Sequence, residues 1–271
     1  MVLRDTGSVS GLRMPLTVFT KPWRKTPLPR LAEFVRSLGC DGVELPVRPG
    51  FQVEPENVDR DLPKAARVFT EAGLKIWSIA GNADERMIAS CGDAGVPIIR
   101  VMVRIDMKKG YRLCVEEARR QYENLLGLLE RYRVAIGVQN HEGPFVGSAL
   151  GIKEVVGGFE PRHVCAVLDF AHCCLAGEPE EIALDIVGTH LGMVNLKNAV
   201  RQRVNGPDEP ARWKVVWVPG KEGYASWPRV AQLLRLQNYR GPVCLTAEYS
   251  DEQAVDRLIV EDVAFAKEVL R

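Results

Sequence analysis

A chain of 271 residues, 46% hydrophobic and 26% charged, has the composition of a globular protein with ample length for a large core. Its net charge of +1 excludes the strongly basic balance of a nucleic-acid or acidic-membrane binder. Seven cysteines without a C-x-x-C argue against a zinc ribbon or disulfide framework and favour a reducing, cytoplasmic setting. The start, MVLRDTGSVSGLRMP, lacks the continuous apolar stretch of a signal peptide, and no apolar run is long enough to span a bilayer.

Short apolar runs alternate with longer amphipathic ones. The runs predict strands over Leu16–Phe19, Gly42–Leu45, Lys75–Ile79, Ile98–Val103, Ala135–Asn140, Val164–Asp169, Met193–Leu196 and Val243–Glu248. Between them, helical spacing predicts helices over Leu28–Leu38, Asp61–Ala72, Val115–Tyr132, Pro179–Val187, Trp227–Leu236 and Asp251–Leu270. Pro63 and Pro228 read as first-turn prolines. Gly39, Gly73 and Gly241 read as helix stops. Eight strand units in this length specify an α/β protein, a (β/α)8 TIM barrel forming a single domain over residues 1–271. Residues 1–13 are expected to be a flexible or capping segment. An open doubly wound sheet is the alternative, but no G-x-G-x-x-G follows the first strand. The long connection from Asn198 to Ser226 reads equally as a lid or as a solvated excursion.

In a closed barrel the strand ends converge on one mouth. Polar residues stand at or just past those ends: Lys21 and Trp23, Glu44 and Arg48, Asn82, Arg104, Gln139 to Glu142, Asp169 and His172, Asn195, Lys197 and Asn198, and Glu248. Glu44, Asp169 and Glu248 together would repel one another unless a divalent metal, basic side chains or a raised pKa intervenes. His163 is expected at the opposite rim and His190 in packing. Cys173 and Cys174 read as helix packing. Lys21, Arg24, Arg48, Arg104 and Lys197 suit an anionic ligand, and Trp23, Trp77 or Trp217 offers an aromatic face on which a ring can stack.

The segments Leu38–Leu45, Gly137–His141, Leu168–His172, Met193–Asn198 and Tyr239–Gly241 leading to Glu248 resemble the xylose isomerase-like TIM barrel superfamily, the sugar phosphate isomerase/epimerase group. That resemblance implies one divalent metal (Mg, Mn or Zn) held by a Glu, an Asp, a His and a Glu from strands five to eight. Carried over, the metal positions are Gln139, Asp169, Asn195 and Glu248. Asp169 and Glu248 match, whereas Gln139 stands for the Glu, Asn195 for the His, and Asn198 for an Asp that often follows. Amide oxygens bring no charge to a cation, and the imidazole that suits Mn or Zn is missing.

By the same resemblance the expected activity is a sugar or sugar-phosphate isomerase or epimerase moving a proton alpha to a carbonyl. Glu248, Lys197 and His172 are the catalytic candidates. Glu44, Arg48, His141, Arg104 and Trp23 are the substrate-binding ones. Gln139 cannot accept a proton near neutral pH, so a two-glutamate relay is not expected. The alternatives are a non-catalytic or regulatory sugar-binding barrel that has lost the metal, and a sugar-acid dehydratase. An endonuclease of the same superfamily is disfavoured by four histidines and the near-zero charge. The expected partner is a small anionic sugar or sugar acid, with no nucleic acid and no membrane; a homodimer is left open.

Overall fold

The computed structural model describes residues 14–271; the expectation for residues 1–13 lies outside the described residues. Eight parallel strands close into a barrel: β1 (Leu16–Phe19), β2 (Gly42–Pro46), β3 (Lys75–Ala80), β4 (Ile98–Val101), β5 (Ala135–Gln139), β6 (Val164–Asp169), β7 (Leu191–Leu196) and, after an inserted hairpin of β8 (Asn198–Arg203) and β9 (Trp213–Val218), β10 (Val243–Leu245). Closure is made by β1 against β10, where Leu16, Thr17 and Val18 pair with Val243, Cys244 and Leu245. The protein is a single-domain (β/α)8 barrel, as the alternation of elements predicts.

The strand period of two sorts the side chains. Ile136, Val138, Val164, Ala166, Leu168, Val194 and Leu196 face outward into the main core under the helices. The alternate residues face the barrel interior. There a separate apolar layer of Phe19, Ala80, Ile98, Val167, Met193 and Cys244 fills the lumen. Two residues further along several of those strands the same face turns polar: Arg100, Asp169 and Asn195 follow Ile98, Val167 and Met193. The mouth therefore rests on a solid apolar floor rather than on a pore.

The helices are α1 (Leu28–Ser37), α2 (Val58–Glu71), α3 (Glu85–Ala94), α4 (Tyr111–Tyr132), α5 (Ala149–Val156), α6 (Phe170–Leu175), α7 (Glu180–Val187), α8 (Trp227–Leu236) and α9 (Val255–Leu270). Periodicity predicts α1, α2, α4, α7, α8 and α9 to within a few residues. It does not reveal α3, α5 or α6. Ser226 caps α8 through its side chain, so Pro228 is a first-turn proline as expected. Pro63 is not: α2 begins at Val58 and Pro63 lies inside it. Leu62 and Val58 are both buried, and their packing extends the helix a turn ahead of the proline. Gly39 and Gly73 end α1 and α2 with φ of 68° and 76°, a conformation that costs a residue with a Cβ. After α8 that role falls to Asn238, φ 52°, and not to Gly241.

The long connection contains the antiparallel pair β8 and β9, with Asn198 opposite Val218 and Arg203 opposite Trp213. Its root is pinned by Asn198, whose amide donates to Gly220 O and Ala225 O at 2.8 Å each and accepts from the Ala225 N–H at 2.9 Å. An aspartate could not make the two donations, which accounts for the amide at this position.

Candidate active site

The mouth is built from strand ends in two linked halves. In the first, Arg100 on β4 points into the lumen, buried, with its guanidinium 4.8 Å from the Phe19 ring. Its Nε donates to Glu44 Oε1 at 2.7 Å, and Nη1 donates to Gln139 Oε1. Ser78 Oγ also donates to Glu44 Oε1. Burial works against the Arg100 charge, but Glu44 outweighs it and the pKa is raised. Gln139 then passes the contact on: its Nε2 donates to Asp169 Oδ2 at 3.1 Å. A chain of anion, cation, amide and anion thus crosses β2, β4, β5 and β6.

Asp169 sits at the end of β6 and at the N-cap of α6, where its Oδ1 accepts from the His172 N–H. Asn140 holds the same turn by accepting from the Asp169 N–H and donating to its carbonyl. Burial pushes the Asp169 carboxyl up to about 6, against the lowering pull of Lys197. His172 Nδ1 accepts from the Glu142 N–H at 3.2 Å, so the proton of the neutral ring lies on Nε2. Burial, with Lys197 adding to it, holds His172 well below the usual imidazole range. Its ring lies 4.3 Å from that of His141. His141 is held down by burial as well.

In the second half, Lys197 Nζ donates to Glu248 Oε2 at 2.7 Å and stands 3.6 Å from the Trp217 ring centroid. Lys21 donates to the other oxygen, Glu248 Oε1. Burial raises the Glu248 pKa, but Lys197 and Lys21 together overcome it and hold the carboxyl below its ordinary range. Ala247, just before, has φ of 52°, strained for a residue with a Cβ. Trp217 comes from the hairpin: its N–H donates to Ser250 Oγ, and its ring meets His172 edge-on at 5.3 Å. The connection of residues 198–226 is thus anchored over the mouth at its root, while Trp213 near its tip is exposed.

Beside the first half lies a cavity of about 390 Å³ lined by Arg48, Arg100, Arg104, Asn82 and Phe145, among others. Arg104 stacks near Phe145. Burial, with Arg100 adding to it, lowers the Arg48 pKa. Four buried polar atoms around the mouth have no hydrogen-bond partner among the described residues: Glu44 Oε2, His172 Nε2, which lies 3.8 Å from Asp169 Oδ2, and both amide atoms of Asn195. Such groups are costly to bury unless a ligand or water answers them.

The structure thus brings together Glu44, Arg48, Arg104, Gln139, His141, Asp169, His172, Asn195, Lys197 and Glu248 from the sequence-derived candidates. Trp23 is the exception: its indole packs against Phe34 and donates to Asp256 at 2.7 Å, which holds it in the wall outside the mouth. His163 pairs with Glu130, behind the start of β6. Sequence reasoning missed Arg100. The signal was an arginine in alternation with Ile98 inside an otherwise apolar run.

The donor set at the four metal positions does not fit a divalent ion. Gln139 Oε1 faces a guanidinium, both Glu248 oxygens face ammonium groups, and both Asp169 oxygens accept N–H donors. Only Asn195 Oδ1 is uncommitted, where a hard cation takes six or more oxygens. No group of three or more His, Cys, Asp or Glu side chains among the described residues could hold a metal.

A parallel eight-stranded barrel with a polar ring at the carboxyl ends of its strands is the architecture of a large class of enzymes. The chain belongs to the xylose isomerase-like TIM barrel family, whose profile matches residues 32–269. Solved structures with the same fold include a probable 3-DHS dehydratase, AsbF, involved in petrobactin synthesis from Bacillus anthracis (14% identity, 94% of this chain and 99% of that one, TM-score 0.70). Another is a 3-keto-D-glucoside 4-epimerase from E. coli (13% identity, 94% and 100%, TM-score 0.68). A third is a xylose isomerase-like TIM barrel protein from Mycobacterium smegmatis in complex with magnesium (18% identity, 95% and 96%, TM-score 0.66). No curated protein sequence matches the chain. No helix among the described residues is long and apolar enough to cross a membrane.

Proposed function

We propose that the mouth binds a small anionic sugar or sugar acid and moves a proton at the carbon beside its carbonyl, as an isomerase or epimerase does. The observation that carries this reading is the contact of the buried Lys197 ammonium with Glu248, at 2.7 Å, which sets an acid and a carboxylate side by side at the strand ends. Glu248 would take the proton from carbon, Lys197 would donate to the carbonyl oxygen, and the Nε2–H of His172 offers a second donor. Arg48, Arg100 and Arg104 would hold the anionic end in their cavity, a carboxylate or a phosphate suiting the guanidinium fork. Glu44 Oε2 and His141 remain to accept hydroxyls. The activities named for two of the solved structures, an epimerase and a probable dehydratase, support this class of chemistry, and a sugar-acid dehydratase would begin with the same proton abstraction. Seven free thiols suit a cytoplasmic setting.

One observation favours a second reading, a non-catalytic sugar-binding barrel: two ammonium groups hold Glu248 below its ordinary range, which weakens it as a base. The two readings separate in heavy water. Ketoses, aldonic acids and phosphorylated ketoses would be incubated with the chain and with Glu248→Gln, and deuterium at carbon followed by NMR. Exchange lost in the variant supports catalysis. Binding detected by calorimetry without exchange for any compound supports the second reading. Neither binding nor exchange across the panel overturns both.

A further inference from the structure

The resemblance places metal ligands at four strand ends, yet in this chain those ends are occupied by one another and by cations. We propose that Arg100 and Lys197 supply, as fixed side-chain cations, the positive charge that a divalent ion would bring to this mouth and thereby keep the ion out, and that Gln139 ties Arg100 to Asp169 in place of a ligand. The mouth is then metal-independent by construction.

Gln139 carries the argument. Its oxygen faces Arg100 and its amide nitrogen faces Asp169 at 3.1 Å, an orientation the two neighbours dictate. A glutamate would still answer Arg100, but it would set a second carboxylate against Asp169 Oδ2. Two carboxylates at that separation tolerate each other only with a proton or a cation between them. The amide closes the gap with a hydrogen bond instead and leaves no vacancy for an ion. Arg100 is locked in place by Glu44 at 2.7 Å and by the Phe19 ring. Lys197 stands on the other side, fixed by Glu248 and the Trp217 ring. Asp169 feels both cations. A divalent ion entering here would meet two permanent positive charges in a buried setting where their repulsion is poorly screened.

Both cations keep donors for a ligand. Arg100 Nη2 has no acceptor among the described residues, and Arg100 lines the 390 Å³ cavity. Lys197 spends one N–H on Glu248. Asn195, in register beside Asp169, offers an unpartnered amide that suits a hydroxyl. The inference concerns the ion alone and stands whether or not a bound sugar is turned over.

The test titrates the full-length chain with Mn²⁺ by electron paramagnetic resonance and calorimetry, with elemental analysis before and after chelation. The expected result is no stoichiometric metal as purified and no Mn²⁺ uptake. In Gln139→Glu/Asn195→His, with both cations retained, uptake stays weak; adding Arg100→Met tightens Mn²⁺ binding by at least about tenfold as a repelling charge is removed. Should that triple variant fail to fold by circular dichroism, Lys197→Met takes the place of Arg100→Met. One tightly bound equivalent of metal in the unaltered chain overturns the proposal. So does Mn²⁺ binding by Gln139→Glu/Asn195→His as tight as with either cation removed.

Discussion

Arg100→Met is the sharpest perturbation of the mouth. Arg100 and Glu44 have side-chain exposures of 6% and 0%, so removing the guanidinium strands a carboxylate in the barrel lumen. Ser78 Oγ, at 3.1 Å, is then the one donor left on Glu44 Oε1, and Oε2 already has none. Breaking a buried pair from one side costs about 3–5 kcal/mol. At this size that lowers the melting midpoint by about 5–10 °C. Methionine fills most of the arginine stem beside Phe19, which limits any cavity contribution. Removing both charges in Arg100→Met/Glu44→Leu takes away the stranded anion, so the double variant should recover at least about 2 kcal/mol of the loss. Urea unfolding followed by far-UV circular dichroism measures both quantities. A single-variant cost below about 1 kcal/mol, or a double variant as unstable as the two singles summed, would refute the view that Arg100 neutralises a buried charge.

Glu248 gives a pH prediction. Lys197 and Lys21 hold its carboxyl below the usual value, so its stabilisation is present above the ordinary carboxylate range and is lost as pH falls through the lowered value. Lys197→Met removes one clamp and should move the acid-unfolding midpoint to higher pH; an unmoved midpoint by circular dichroism speaks against it. Gly220→Ala would place a Cβ 2.5 Å from the buried Trp227 ring, an overpacking that costs about 1–3 kcal/mol and shows as a lowered thermal midpoint. Ala247→Gly should do the reverse. At φ of 52° the glycine relieves strain, so stability should stay level or rise by up to about 1 kcal/mol, where an alanine-to-glycine change elsewhere lowers it.

The barrel was legible because each strand carries its own evidence. Val164–Asp169 is bounded as the structure has it, and the alternation of Val167 and Asp169 against Ala166 and Leu168 divides lumen from outer core. Of the helices that periodicity missed, α6 has only six residues, too few to establish a period, and α5 buries five of its eight residues, which leaves little polar face to mark one. α6 is moreover fused to β6, with Asp169 ending one and capping the other. At the mouth, strand-end position alone gave Glu44, Asp169, Lys197 and Glu248. It could not give Arg100, which lies one turn of the pleat deeper than a strand end, nor the partners each group chose. Gln139 reads in sequence as a lost ligand. Only its two neighbours at bonding distance show it as a connector. Trp23 misled for the converse reason: adjacency to Lys21 in sequence does not carry it to the same side of the wall.

The closing pair of the barrel has a kinetic consequence. β1 can complete its ladder only with β10, and Lys21 meets Glu248 across 227 positions. Contacts of such separation form late, because the loop between them must be ordered first. On a ribosome the N-terminal strand would emerge long before its final neighbour and hold one edge open in the meantime, a state prone to wrong pairing. The last act of folding would seal the cylinder and assemble the Lys21–Glu248–Lys197 clamp in a single event, so that a nascent or partly unravelled barrel would have no assembled mouth.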